Sequence, residues 1–329
     1  MVNIAINGFG RIGRLVFRAG FEDKNINFVA INDLGDLKTM AHLLKYDSVH
    51  GRFKGDIEVG EDCLVINGKK IKFLSERDPN KLPWKDLKVD VVFESTGVFR
   101  SEKDLQMHIN AGAKKVLLSA PAKEGDITTI VSGVNEKDAI GKTFVSNASC
   151  TTNSLAPVLK IIEEKFGIEK GFMTTIHSYT NDQQILDLPH ADLRRARSAA
   201  INIIPTTTGA AKAVGLVIPS LNGKLDGISV RVPTADGSYT DATLVLKKEV
   251  SEEEFNQIIK KASENELKGI LEYSEEELVS TDIIGNPHSS IFDSKQTKIN
   301  GNLVKLGTWY DNEWGFSKRM VEVVKLMSK

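Results

Sequence analysis

One glycine pattern near the N-terminus restricts the fold more than any other feature of the chain. Val2 to Asn7 reads as a strand, and Gly8-Phe9-Gly10-Arg11-Ile12-Gly13 follows it, a GxGxxG run leading into the helix-like Arg14-Leu15-Val16-Phe17-Arg18-Ala19. That spacing puts glycine at a tight turn, where backbone meets a pyrophosphate, and where helix packs on strand; the helix N-terminus then faces the phosphates. Alone, the motif is a weak signal. Here a second strand pattern, Asn27 to Asn32, ends at Asp33, 20 residues beyond Gly13. A carboxylate at that point accepts hydrogen bonds from an adenosine ribose and repels a 2′-phosphate, which predicts a dinucleotide site preferring NAD to NADP.

The same rhythm continues to residue 149. Apolar, β-rich runs recur at Ile71 to Leu74, Val89 to Glu94, Lys115 to Ser119 and Thr129 to Ser132, with helix-like stretches at Leu37 to Lys45 and Ser101 to Ala111. Alternation of this kind predicts an α/β domain over residues 1–149, a Rossmann-type, doubly wound and mostly parallel sheet. Small or polar residues at two strand ends, Ser95-Thr96-Gly97 and Ser119-Ala120-Pro121, fall where such sheets bind ligand, although turn chemistry alone also accounts for them. Beyond Cys150 the pattern changes to alternating runs at Phe172 to Tyr179, Ile228 to Pro233, Thr240 to Lys247 and Val304 to Tyr310. These predict a second domain of α+β type with a largely antiparallel sheet.

Between the two lies Ser146-Asn147-Ala148-Ser149-Cys150-Thr151-Thr152-Asn153-Ser154. A strand-like run, Thr143 to Ser146, leads in; an apolar helical pattern at Leu155, Val158, Leu159, Ile162 and Phe166 leads out and stops before Gly167. Cys150 is therefore expected at a helix N-terminus capped by Ser149 or a neighbouring hydroxyl, where free N–H groups and the helix dipole favour a thiolate. A lone cysteine is more often a buried apolar residue, but this hydroxyl-rich surround is too polar to bury without partners. His177, near the end of a strand in the same domain, is the natural base for it. Residues 178–200 read as a loop closing on Arg194-Arg195-Ala196-Arg197, interleaved with Leu193, Ala196, Ala199 and Ala200, a pattern that turns part of it inward. Thr206-Thr207-Thr208-Gly209 reads as a hydroxyl-rich turn opening a helix, and Arg231, set in an apolar strand, is costly to bury without an anion. These groups predict one or two phosphate sites near the cysteine.

Composition narrows the function class. With 43 basic and 44 acidic residues the formal charge is -1, which supplies no field for nucleic acid or an anionic membrane. Two cysteines, Cys63 and Cys150, make no disulfide framework, and no Cys/His cluster has metal-ligand spacing. The chain starts directly on its first strand pattern, without a basic region and apolar leader, and no apolar run approaches a membrane span, so a cytoplasmic location is expected.

The segments INGFGRIGR, ASCTTN, MTTIHSYTNDQ, DLRRARSAA, PTTTGAAKAVG, VRVPT and WYDNEWGFS, in order along essentially the whole chain, resemble the phosphorylating glyceraldehyde-3-phosphate dehydrogenase family. The resemblance implies a catalytic domain over 150–314 and a C-terminal helix, roughly Gly315 to Met327 within 315–329, that packs back on the first domain. It implies a homotetramer that converts glyceraldehyde 3-phosphate to 1,3-bisphosphoglycerate with NAD and inorganic phosphate. Cys150 is then the nucleophile, forming a hemithioacetal and a thioester, and His177 its activator and acid/base. Thr180, Asp182 and Arg231 correspond to the substrate-phosphate site; Ser149, Thr151, Arg195, Thr208 and Gly209 to the site for attacking phosphate. Gly8, Gly10, Arg11, Ile12, Asp33, Arg77, Ser119 and Asn312 match cofactor-binding positions, with Thr96 and Gly97 close by. Leu188 and Pro189 match a pair that reaches a neighbouring subunit's adenosine ribose in NAD-specific members. Ser154 stands where many members carry a second cysteine, which leaves Cys150 no nearby thiol for a disulfide.

A sister enzyme acting on erythrose 4-phosphate shares nucleophile, base and dinucleotide fold, and is the alternative enzymatic reading. An NADP-dependent semialdehyde dehydrogenase is opposed by Asp33. A surface adhesin or RNA-binding role has no basic patch, aromatic platform or export signal to support it.

Overall fold

The computed structural model describes residues 1–329. By its internal contacts the chain forms two units: one of Met1–Ile130, Glu136–Ala148 and Ser317–Lys329, the other of Val131–Asn135 and Ser149–Phe316.

The first unit holds nine strands: β1 (Val2–Asn7), β2 (Ile26–Asn32), β3 (Ile57–Val59), β4 (Cys63–Ile66), β5 (Lys69–Leu74), β6 (Val91–Glu94), β7 (Lys115–Leu118), β8 (Thr128–Thr129) and β9 (Phe144–Ser146). Their order is β3-β4-β5-β2-β1-β6-β7-β9-β8. From β5 to β8 every pair is parallel; only the β3-β4-β5 edge is antiparallel. The chain order therefore reverses at β1, and the loops beyond the carboxyl ends of β1 and β6 diverge there, the usual place for a ligand crevice. The central strands are buried on both faces, which requires the continuous Ile4-Ala5-Ile6 and Val91-Val92-Phe93 runs. On one face Ala5, Val92, Leu118, Leu105 and Trp84 share a core. Elsewhere in the unit Phe17 of helix α1 (Arg11–Gly20) lies 4.9 Å, ring to ring, from Phe28. Each such side chain contributes about 1.5–3 kcal/mol by leaving water.

Helix α2 (Leu37–Lys45) is capped by Asp36, whose side chain accepts from Thr39 N–H at 2.9 Å, and α3 (Glu102–Asn110) by a full Ser101/Asp104 capping box. The strand expected over Thr129 to Ser132 shrinks to β8. Val131 N–H donates to the Asn135 side chain at 2.9 Å, and Val134 and Asn135 N–H turn back on the Val131 carbonyl, so the segment closes into a turn.

In the second unit lie α4 (Cys150–Phe166), β10 (Ile168–Ser178), β11 (Ile204–Thr207), α5 (Ala210–Val217), β12 (Leu225–Val232), β13 (Ser238–Leu246), α6 (Glu252–Glu264), β14 (Leu271–Ser274), β15 (Ser290–Asn300) and β16 (Leu303–Tyr310). The sheet order is β11-β12-β10-β13-β16-β15-β14; four pairs are antiparallel, while β10-β12 and β14-β15 are parallel. α4 is buried almost throughout, as its apolar pattern requires. Phe172 and Ile228 stand exposed on β10 and β12. Helix α7 (Trp314–Met327) begins in this unit, and its residues from Ser317 onward belong to the first. There Val321 closes to 3.2 Å of the position a Cβ on Gly20 would take, so glycine at that point lets α1 and α7 approach. No helix is long and apolar enough to cross a membrane.

Candidate active site

Sequence and backbone together place the thiol. Ala148 has φ 54°, a left-handed conformation that costs a non-glycine residue about 1–2 kcal/mol, and it turns the chain sharply from β9 into α4. Ser149 is the N-cap, its hydroxyl accepting from Thr152 N–H at 3.1 Å; Cys150 is the first helical residue and partly exposed. Thr151 supplies hydrogen bonds to the sulfur from its backbone and its side chain.

On β10, His177 presents Nε2 to Cys150 Sγ at 3.4 Å. Its Nδ1–H donates to the Ser178 carbonyl at 2.7 Å, which fixes the tautomer and leaves an unprotonated Nε2 towards the thiol. The register of β10 on β12 sets Arg231 beside His177. Arg231 Nη1 donates to the same Ser178 carbonyl at 3.1 Å and lies 3.5 Å from Thr180 Oγ1.

Burial pushes the Cys150 thiol up to about 11, against the charge of Arg231 and the two Thr151 hydrogen bonds. Burial likewise pushes His177 down to about 3, with Arg231 adding and the Ser178 carbonyl opposing. At this helix N-terminus desolvation therefore works against the dipole. Charge becomes accessible to the two groups as a pair, by proton transfer from Sγ to Nε2, each ion then compensating the other.

Arg231 has no carboxylate partner. Its Nε is buried without a hydrogen bond, and burial followed by the charge of Arg195 weighs against its cation. Arg195 is held in place by Asp182, by Thr206 Oγ1 at 2.9 Å and by the Thr207 carbonyl at 3.1 Å. Asp182, expected beside Arg231, pairs with Arg195 and still acts on Arg231 through its charge. Burial pulls that carboxyl up, but Arg195 and His190 outweigh it and hold it below the usual range. Thr208 Oγ1 accepts from Ala210 N–H at 3.2 Å; Gly209 caps α5 with no side chain, and nothing lies within 4 Å of where its Cβ would be. Two guanidinium groups and an open helix N-terminus make this a place for anions. Thr151 offers such a ligand its backbone, since its hydroxyl is also bound to Tyr310 Oη at 2.9 Å.

In the loop over 178–200, Ala199 is buried and Ala196 half-buried, the part turned inward, while Leu193 is 82% exposed and Ala200 is exposed. Asp187 ties this loop, pairing with Arg197 at 2.8 Å and accepting from Ser198 N–H at 3.0 Å. Leu188 and Pro189 stand exposed on it.

In the first unit a cleft of about 360 Å³ is lined by Gly8, Gly10, Asp33, Arg77 and Thr96, joined by Asn7 and Asn32, which the sequence reading missed. Gly8, at φ 91°, approaches Thr96 so closely that a Cβ would sit 2.6 Å from its backbone nitrogen. Nothing lies within 4 Å of a Cβ on Gly10, and α1 starts there without a side-chain cap, leaving its N–H groups open for phosphate. Asp33 accepts from Phe9 N–H at 2.7 Å and Gly35 N–H at 2.8 Å, so it also fixes the glycine loop. Arg11 turns its side chain to Asp47 at 2.7 Å, and neither it nor Ile12 lines the cleft. Gly97, at φ 74°, and Ser119, whose N–H donates to the Glu94 carbonyl, lie at strand ends and do not line the cleft. Asn312 lies in the second unit, with its side-chain oxygen on Ser178 and Ser238.

A dinucleotide fold in one unit and a thiol–imidazole pair in the other define an NAD-dependent dehydrogenase that works through a cysteine. Residues 2–102 match the NAD binding domain of glyceraldehyde 3-phosphate dehydrogenase, and residues 149–312 match its C-terminal domain. The chain belongs to the glyceraldehyde-3-phosphate dehydrogenase family. It is 59% identical to that enzyme of Thermotoga maritima over 333 residues, covering 100% of both chains. Against glyceraldehyde-3-phosphate dehydrogenase 1 of Bacillus cereus the identity is 57% over 331 residues, covering 100% of this chain and 99% of the relative. With the Geobacillus stearothermophilus enzyme it is 57% over 325 residues, 98% and 97%.

Proposed function

We propose that the chain catalyses the NAD-dependent oxidation of glyceraldehyde 3-phosphate and captures the acyl group with inorganic phosphate to give 1,3-bisphosphoglycerate. The observation that carries the reading is Cys150 Sγ at 3.4 Å from His177 Nε2 beside a guanidinium without a carboxylate partner. His177 takes the thiol proton as sulfur attacks the aldehyde carbon. The Cys150 backbone N–H meets the developing alkoxide, His177 returns the proton to it, and the hemithioacetal forms. When bound, NAD supplies the acceptor for the aldehyde hydride; Gly8, Gly10, Asp33, Arg77 and Thr96 hold it. His177 takes the hydroxyl proton as the hemithioacetal becomes a thioester. Phosphate then attacks the acyl carbon, the thiolate leaves, and the acyl phosphate is released.

Arg231 with Thr180 receives the substrate phosphate; Arg195, Thr208, Gly209, Thr151 and the Ser149 turn receive the attacking phosphate, with Asp182 orienting Arg195. Four copies assemble in the cytoplasm, where Leu188 and Pro189 of one reach a neighbour's cofactor. The exposed Phe172, Ile228, Leu188 and Leu193 side chains support such an assembly, which light scattering on the purified protein tests.

NADH formation from glyceraldehyde 3-phosphate, with and without phosphate and beside Cys150→Ser, decides the reaction. Phosphate-dependent turnover that disappears in the variant is expected. Turnover indifferent to phosphate overturns the assignment around Arg195 and Thr208, and preference for erythrose 4-phosphate overturns the substrate.

A further inference from the structure

Asp182 gives its two carboxylate oxygens to different partners. Oδ2 pairs with Arg195 Nη1, and Oδ1 faces His190 Nε2 at 3.6 Å. The imidazole is set by its own loop: the Asp192 backbone N–H donates to Nδ1 at 2.9 Å, so in the neutral ring the proton sits on Nε2, towards the carboxylate. In the charged ring Nε2 carries a proton as well. The turn that holds the ring also carries Arg195. Asp192 Oδ1 accepts the Arg194 N–H at 2.8 Å, and its Oδ2 accepts the Thr206 hydroxyl, whose oxygen takes Arg195 Nε–H at 2.9 Å. His190, Asp182 and Arg195 thus stand in a row on one frame.

Arg195 gives Nε–H to Thr206, one Nη1–H to Asp182 and one Nη2–H to the Thr207 carbonyl, which leaves an N–H on each Nη for an anion. A carboxylate beside a guanidinium favours the two-pronged pairing, in which both oxygens take N–H groups side by side. Asp182 is half exposed and has room to turn into it, and doing so would occupy an N–H that phosphate needs. The His190 N–H draws Oδ1 the other way. Burial pulls the Asp182 carboxyl up, and Arg195 first, then His190, outweigh it, so the ring does act on the carboxylate.

We propose that His190 is a positioning residue for phosphate: by holding Asp182 Oδ1 it limits Asp182 to a single contact with Arg195 and keeps the remaining guanidinium N–H groups open to the attacking anion. This rests on the reading above that Arg195 receives inorganic phosphate. Without the imidazole the carboxylate closes on Arg195 with both oxygens, and phosphate competes with it for the same N–H.

The test is the KM for inorganic phosphate, with kcat and the KM for glyceraldehyde 3-phosphate beside it, in wild type, His190→Ala, His190→Asn, His190→Gln, Asp182→Ala, His190→Ala/Asp182→Ala and Arg195→Leu. Glutamine carries an amide donor near the place of Nε2; asparagine reaches only the place of Nδ1. In His190→Ala and His190→Asn the phosphate KM is expected to rise about three- to tenfold, the worth of one hydrogen bond, with kcat and the other KM changing by less than about twofold. His190→Gln should recover most of the loss. Once Asp182 is gone His190 has nothing to hold, so adding His190→Ala to Asp182→Ala should raise the phosphate KM no further. If His190→Ala acts as strongly without Asp182 as with it, or if both KM values rise together, the ring serves the loop fold alone and the proposal is overturned. If Arg195→Leu leaves the phosphate KM unaltered, Arg195 does not bind phosphate, and that reading falls together with the proposal. If Arg195→Leu raises it while the His190 variants keep the wild-type value, only the proposal falls.

Discussion

His177 Nε2 faces Cys150 Sγ at 3.4 Å with a free lone pair, because its Nδ1–H is held by the Ser178 carbonyl at 2.7 Å. Neither group is easily charged alone, the thiol sitting near 11 and the imidazole near 3. As an ion pair they are charged together, so the thiol should react with a neutral alkylating agent at lower pH than burial alone permits. In His177→Asn the thiolate has no counter-ion, and the alkylation midpoint should move upward while acylation slows by ~10²–10⁴-fold. Iodoacetamide kinetics from pH 5 to 10 and single-turnover acylation measure both; coincident profiles would remove His177 from the pair.

Arg231 and Arg195 repel one another, Asp182 pairs with Arg195 alone, and Arg231 Nε lacks a partner. Phosphate binding relieves that repulsion, so inorganic phosphate should raise the melting temperature of the wild type. At a hundredfold excess over Kd the gain is about 2.7 kcal/mol. In Arg231→Leu the uncompensated buried charge is gone; the phosphate-free protein should be no less stable, its response to phosphate smaller, and the KM for glyceraldehyde 3-phosphate at least about tenfold higher. Calorimetric scans with and without phosphate test this, and an undiminished shift in the variant contradicts it.

What could be read before the structure followed local chemistry. The Gly8 turn, the Ser149 cap and strands β10, β12, β13 and β16 each announce themselves by spacing or alternation, as do Cys150 and His177, whereas β11, β14 and β15 do not. Ser251, with Glu254 three residues later, is a capping signal of the same kind, and it opens α6, which went unread. What stayed hidden depends on distant partners. Asp182 could be assigned to Arg195 only after the loop had folded, and Thr151 to Tyr310 only after β16 had packed beneath α4. The thiol's surroundings divide in the same way: a helix N-terminus is visible in sequence, but desolvation is a property of the packed site.

Asp236 and Asp311 are both about 1% exposed, and they share a hydrogen bond. Burial first, then the charges of Asp311 and Glu313, pushes the Asp236 carboxyl well above its ordinary range. The folded protein thus keeps a proton there that the unfolded chain releases above about pH 4. Stability from this group is full below that point and is lost as pH rises towards the raised value, by up to about 1.4 kcal/mol per pH unit. Asp236→Asn mimics the protonated carboxyl, so it should flatten the decline between pH 5 and 8. Urea melts across that range check it; parallel slopes for variant and wild type would mean that Asp236 holds no proton.

Glu94 is fully buried at the end of β6, and its carboxylate collects donors from across the first unit. Oε1 accepts the Thr96 N–H at 2.8 Å and its hydroxyl; Oε2 accepts Asn7 Nδ2–H at 2.6 Å and His108 Nε2–H at 3.0 Å. His108 can donate from Nε2 while neutral because its Nδ1 accepts the Trp84 indole N–H at 3.0 Å. Glu94→Gln turns one acceptor into a donor facing another donor, which should cost about 1–3 kcal/mol of stability. Because Asn7 and Thr96 line the cofactor cleft, NAD binding should weaken as well. Glu94 and His108 share a bond, so the double variant Glu94→Gln/His108→Gln should depart from additivity by about 0.5–3 kcal/mol. Denaturant melts of the four proteins close the cycle. Additivity within about 0.3 kcal/mol would mean that the two residues act separately and that the cleft floor is not braced from α3.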